Sequence, residues 1–164
     1  MDNLPVRRQL PHTPPPSVAP FTIGAPFFIT ICVDRGHYGI SNSNAGRIGP
    51  LTDSVIANAI LDSIEHRRET GKWHPHLATI MPDHLHVITS FATTVTMRGE
   101  SSSFKRFLAV KYGIVWQDGF FDHRLRNDGE HDEKMRYIRD NPKEKGLCPD
   151  ADLWPWFRIW PHPW

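Results

Sequence analysis

Two β-rich runs that meet at Met81-Pro82-Asp83, in the stretch HLATIMPDHLHVITSF, constrain the fold of this chain most. Proline followed by aspartate is turn chemistry, so the segment reads as two short strands joined in a hairpin. Helical patterns lie on either side of it. In LTDSVIANAILDSIEHRRETG, Leu51, Val55, Ile56, Ala59, Ile60 and Ile64 fall on one helical face, with Thr52 or Asp53 to cap the start and Gly71 to end it. In SSSFKRFLAVKYG, Phe104, Phe107, Leu108 and Lys111 recur at helical spacing and Gly113 stops the run. A β-rich run, PFFITICV (Pro26 to Val33), precedes the first helix, and GIVWQDGFFDHRL supplies a strand region after the second. GEHDEKMRYIRDNP then reads as a last helix ending at Asn141-Pro142.

The order strand, helix, strand, strand, helix, strand, with a C-terminal helix, is an α+β arrangement of the ferredoxin-like, split βαβ kind. The helices are expected on one face of an antiparallel sheet, leaving the other face to hold a site. At 164 residues one domain is expected. Proline marks its ends. Seven of the 15 prolines lie in the first 26 residues, so residues 1–25 read as an extended arm, 26–148 as the domain, and 149–164, with four of the six tryptophans, as a Trp/Pro-rich tail that packs onto it. No run approaches the ~20 apolar residues of a membrane span. The two cysteines, Cys32 and Cys148, exclude a disulfide scaffold and a four-cysteine zinc site. With no secretory signal evident at the N-terminus, the cytoplasm is the expected compartment. The net charge of +1 excludes a strongly basic whole-protein field, so any nucleic-acid site is a local patch.

The candidate chemistry lies in His84-Leu85-His86. Residues i and i+2 of a strand point to one face, so both imidazoles project together, close enough to share one divalent cation while Leu85 packs into the core. Two histidines leave the coordination sphere open, which suits catalysis: water or a phosphate oxygen can complete it. Asp83 is placed to orient an imidazole or simply to make the turn.

Three motifs, M-P-D-H-L-H, W-Q-x-G-F-F-D-H-x-L-R and Y-I-R-x-N-P-x-x-x-G-L, stand in that order between about Phe27 and Leu147. Together they resemble the single-tyrosine HUH transposases, and within them the REP-associated tyrosine transposase group. The resemblance implies metal-dependent cleavage and strand transfer of single-stranded or hairpin DNA, in DNA transposition and recombination. His84 and His86 would bind Mg²⁺ or Mn²⁺, and a helix tyrosine would form a covalent 5′-phosphotyrosine. It leaves both a homodimer and a monomer open.

The nucleophile departs from the family pattern. The usual tyrosine slot, six residues before the Y-I-x-x-N-P tyrosine, holds His131, and the further ligand position one turn later holds Lys134 or Met135. Tyr137, the only tyrosine of that helix, points about 240° from the His131 direction and so is not expected simply to replace the missing hydroxyl, whereas Met135 and Ile138 lie within about 40° of it. His131 is therefore expected to face inward as nucleophile, third ligand or general base, and a catalytically impaired DNA-binding or regulatory protein is the alternative. Lys105, Arg106, Lys111, Arg124 and Arg126 are the candidate DNA-backbone contacts.

Overall fold

The computed structural model describes residues 23–161. Five strands, β1 (Phe27–Cys32), β2 (Trp73–Ile80), β3 (His84–Phe91), β4 (Phe121–Arg124) and β5 (Phe157–Ile159), form one antiparallel sheet in the order β4-β1-β3-β2-β5. Helices α1 (Ser54–Glu69), α2 (Met97–Tyr112) and α3 (Asp128–Glu144) pack on it. The expected arm falls almost wholly outside the described residues. The domain therefore has the α+β, split βαβ order read from the sequence, with one strand more at the β2 edge.

Register divides the sheet into two faces. Thr30 stands opposite His86 and Ile31 opposite Leu85, so alternate residues of β1 and β3 point together. Ile29, Ile31, Leu85 and Val87 join the α1 and α2 residues Ile60, Ile64, Phe104 and Leu108 in the larger core. On the other face Phe28, Leu77 and Ile88 meet Ile138 and Met135 of α3 in a smaller core. Only α1 and α2 thus share a face. The third helix covers the other, because its apolar residues need a partner surface and only that face remains.

The ends of the elements follow local chemistry. Asp53 caps α1, its carboxylate accepting from the N–H groups of Val55 and Ile56, and Gly113 ends α2 with φ of 71°. Two expectations need correction. Val55 and Phe107 are 64% and 42% exposed, so they lie at the edge of their helical faces and not in the core. The last helix does not stop at Asn141-Pro142: Pro142 sits inside it, and the N–H groups of Lys145 and Leu147 donate to the carbonyls of Asn141 and Pro142. A proline near the C-terminal end forfeits one bond, which the following turn survives.

The Trp-rich segment packs as expected, and part of it adds a strand. Trp160 is buried with its indole N–H on the Glu65 carboxylate, Trp154 donates to the Ile80 carbonyl, and Phe157 to Ile159 pair with β2. β2 also bulges between Pro75 and Leu77, leaving His76 as the extra residue.

The segment between β1 and α1 is pressed against the hairpin turn. At Gly49, with φ of 150°, a β-carbon would lie 2.2 Å from the Pro82 carbonyl oxygen. Gly49→Ala is expected to cost about 2–3 kcal/mol, read as a lower urea midpoint at unchanged m-value. An unshifted midpoint would mean that this loop does not pack on the turn in solution.

Candidate functional site

The face under α3 carries His84 and His86. Their ring centroids are 4.5 Å apart, their Nε2 atoms 3.1 Å apart, and they are 8% and 5% exposed. Each far nitrogen is held. His84 Nδ1–H donates to Asp83 Oδ1 at 2.6 Å, and His86 Nδ1 lies 2.8 Å from Thr30 Oγ1. With protons on both Nδ1 atoms, two lone pairs face each other, an arrangement that repels unless a proton or a metal cation lies between them.

That geometry fits a metal ion. Bonds of about 2.1 Å from one ion to nitrogens at this separation enclose an angle of about 95°, near that of adjacent ligands in an octahedron. The outer carboxylate fixes the His84 tautomer, and the Thr30 hydroxyl holds the His86 ring in place, as ligating histidines require. Among the described residues no group of three or more His, Cys, Asp or Glu side chains gathers to hold a metal, so this is an open, two-imidazole set.

Asp83 organises the site. Fully buried, it accepts from His84 at one oxygen and from Arg35 Nε and the Gly46 N–H at the other, both at 3.0 Å. Burial alone would raise its pKa, but the bond to His84, the Gly46 N–H and the Arg35 charge together hold the carboxyl below its ordinary value. Burial first, then the neighbouring His84 and Lys134, push His86 well below the ordinary imidazole value, against the opposing pull of Asp83.

Both shifts act in one direction. As pH falls below about 6.5, unfolded histidine takes up a proton that buried His86 resists, and lower still the unfolded Asp83 carboxyl is protonated before the folded one. The unfolded state binds more protons, so stability falls with pH. The urea midpoint is expected to be lower at about pH 5 than at about pH 7.5. An equal midpoint at the two values would count against a buried, neutral His86.

Helix α3 brings a phenol and an ammonium to this pair. The Tyr137 ring lies 5.7 Å from the His86 ring and 6.2 Å, edge-on, from Phe28, while Lys134 Nζ stands 5.5 Å and 5.6 Å from the Tyr137 and Phe28 rings. Tyr137 is 44% exposed, so its ring borders the site without being sealed in it. His131 faces inward as expected, but meets another residue: its Nε2 is 2.8 Å from His76 Nδ1. The His84/His86 pair thus borders the Tyr137 flank of α3, where the angle from His131 gave no expectation of a hydroxyl at the site. Thr30, Arg35 and Gly46 escaped the sequence reading because each is at least 37 residues from its partner.

The candidate DNA contacts lie on α2, at the end of β4 and just before α3. Lys105 Nζ donates to the carbonyls of Gln117 and Gly119, tying α2 to the loop before β4. Arg106 and Lys111 lie on α2, against the opposite face of the sheet, with Lys111 over the Phe107 and Tyr112 rings. Arg124 ends β4, and the Arg126 N–H donates to Glu130 at the start of α3.

The sheet thus carries paired histidines on its central strand, with a helix laid over them. Among solved structures, a REP-associated tyrosine transposase bound to a REP hairpin is similar at 18% identity and a TM-score of 0.67, over 92% of this chain and 90% of that one. The chain therefore has the fold of a REP-associated tyrosine transposase. A protein assigned as a transposase in Deinococcus radiodurans R1 is similar at 11% identity over 79% of this chain and 97% of its own, with a TM-score of 0.43, too slight a likeness to carry weight. No family model and no curated protein matches the chain. No helix among the described residues is long and apolar enough to cross a membrane.

Proposed function

We propose that this protein is a transposase-like enzyme that binds single-stranded or hairpin DNA, cleaves one strand and rejoins it. The observation that carries the reading is the His84/His86 pair, each far nitrogen tied back and both Nε2 atoms turned inward, with the Tyr137 ring against His86. The fold, shared with a transposase whose structure holds a REP hairpin, supports DNA as the partner.

His84 and His86 would hold Mg²⁺ or Mn²⁺, which when bound supplies Lewis-acid polarisation of the scissile phosphate. Asp83 and Thr30 fix the two imidazoles, and the Lys134 ammonium adds a positive charge at the same mouth, complementary to a phosphate. Tyr137 is the nucleophile in this reading. Its hydroxyl oxygen bonds to phosphorus as the 3′-oxygen departs; the phenol gives up a proton and the leaving oxygen gains one. The products are a 5′-phosphotyrosine and a free 3′-hydroxyl. Attack by another 3′-hydroxyl reverses the step, so no nucleotide cofactor is consumed.

A second reading, hairpin binding without cleavage, is favoured by one specific observation: His131 stands in the slot where the resembled family carries its nucleophile, and Lys134 or Met135 where it carries its further ligand. Labelled hairpin-bearing single-stranded DNA, incubated with the protein and Mn²⁺ and then denatured, separates the two. The expected result is a covalent adduct that disappears with chelator and in His84→Asn. Tight binding with no adduct, on DNA that an active relative cleaves, overturns the cleavage reading in favour of the second.

A further inference from the structure

A second histidine pair lies on the same sheet face. His76 of β2 and His131 of α3 face each other through Nδ1 and Nε2 at 2.8 Å, with ring centroids 5.1 Å apart. The β2 bulge makes this contact. In a regular strand His76 and Leu77 would point to opposite faces, yet Leu77 packs in the α3-side core while His76 meets α3 as well. The extra residue re-aims one imidazole toward another 55 positions away.

The facing nitrogens of this pair are close, as in the first pair; His76 Nε2 lies 3.5 Å from Ser90 Oγ, and His131 Nδ1 lies 3.8 Å from Asp132 Oδ1, beyond hydrogen-bond reach. His76 is 2% exposed and held by the sheet. The neighbouring His74, opposite Ser90 in register and so on this face, keeps a buried Nε2 with no hydrogen-bond partner. Thr79, not His76, is level with His86, which places this pair about 10 Å farther along the strand.

We infer that His76 and His131 form a second divalent-metal site, for a borderline ion of the Zn²⁺, Co²⁺ or Ni²⁺ class, joining α3 to the sheet. A pair of imidazole nitrogens favours such ions over Mg²⁺. Bonds of about 2.0–2.1 Å to nitrogens at this separation enclose an angle of about 84–89°, near that of adjacent ligands in an octahedron. This site is independent of any DNA chemistry at His84 and His86.

The test is metal stoichiometry on the full chain. Chelator-stripped protein is titrated with Zn²⁺ against a chromophoric competitor, and with Co²⁺ by visible absorption. Two ions per chain are expected, falling to one in His131→Asn, in His76→Asn and in the double variant His84→Asn/His86→Asn. One ion per chain that survives in His131→Asn and His76→Asn overturns the inference and leaves the pair a hydrogen bond only. A thermal readout covers variants that fold poorly. In His84→Asn/His86→Asn, Zn²⁺ at a hundredfold excess over its dissociation constant is expected to raise Tm by roughly 5 °C or more. No rise in that variant also overturns it.

Discussion

Tyr137→Phe is expected to lower covalent adduct formation by about 10³-fold or more, while hairpin binding and Mn²⁺ affinity stay within about twofold of the parent. The substitution removes one oxygen atom. The ring that stands against His86 and Phe28 remains, as does the surface over which Lys134 is placed, so the packing of α3 is preserved. Loss of the adduct alone therefore reports the nucleophile. Peptide mapping of the parent adduct provides the cross-check and should find DNA on Tyr137. An adduct undiminished in Tyr137→Phe, mapping instead to His131, would mean that the imidazole breaks its contact with His76 and attacks to form a phosphohistidine.

The second large effect is expected at Asp83. Asp83→Ala strips the acceptor from three donors at once: His84 Nδ1, Arg35 Nε and the Gly46 N–H. Leaving such groups unpaired at a buried position costs about 3 kcal/mol or more in urea unfolding, since each counts for about 1–3 kcal/mol. The metal consequence is separate. Without the carboxylate, His84 is free to turn and to carry its proton on either nitrogen, and Mn²⁺ affinity should fall by about 10–100-fold. Asp83→Asn makes the useful comparison, because its amide oxygen can still accept from His84 while its amino group cannot accept from Gly46. Partial recovery of affinity with little recovery of stability is expected. Full parental affinity in Asp83→Ala would remove this carboxylate from any part in orienting His84.

What the sequence made legible was whatever depends on short spacings. The period of two in His84-Leu85-His86 was enough to place both imidazoles on one face, and Asp83 was visible as the adjacent candidate for orienting one of them. The partners that complete the site were out of reach. Thr30 arrives through the β1–β3 register, and Arg35 and Gly46 arrive because the chain before α1 folds back over the hairpin turn. Helical geometry gave the angle between His131 and Tyr137. It could not say which flank of α3 borders the His84/His86 pair, since that depends on how the helix crosses the sheet. The third helix was readable, its separate face was not: one amphipathic stripe does not declare which side of a sheet it covers. The bulge at His76 and the strand at Phe157 to Ile159 were also hidden, each being short and close to proline, where propensity argues against regular pairing.

The added strand also bears on how the molecule behaves in a crowded solution. β2 is eight residues long and apolar, and without β5 its outer row of peptide groups would invite a strand from another molecule. Among the described residues a short stretch stands guard along that border, Phe157 to Ile159 with the Trp156 carbonyl and the Trp160 N–H also bonded to β2, and the buried Trp160 indole holds it from behind. At the opposite border β4 offers four residues, too few to template much growth. Resistance to aggregation thus falls disproportionately on a short stretch near the end of the chain, so a cut ahead of Phe157 would harm solubility before it harmed the chemistry.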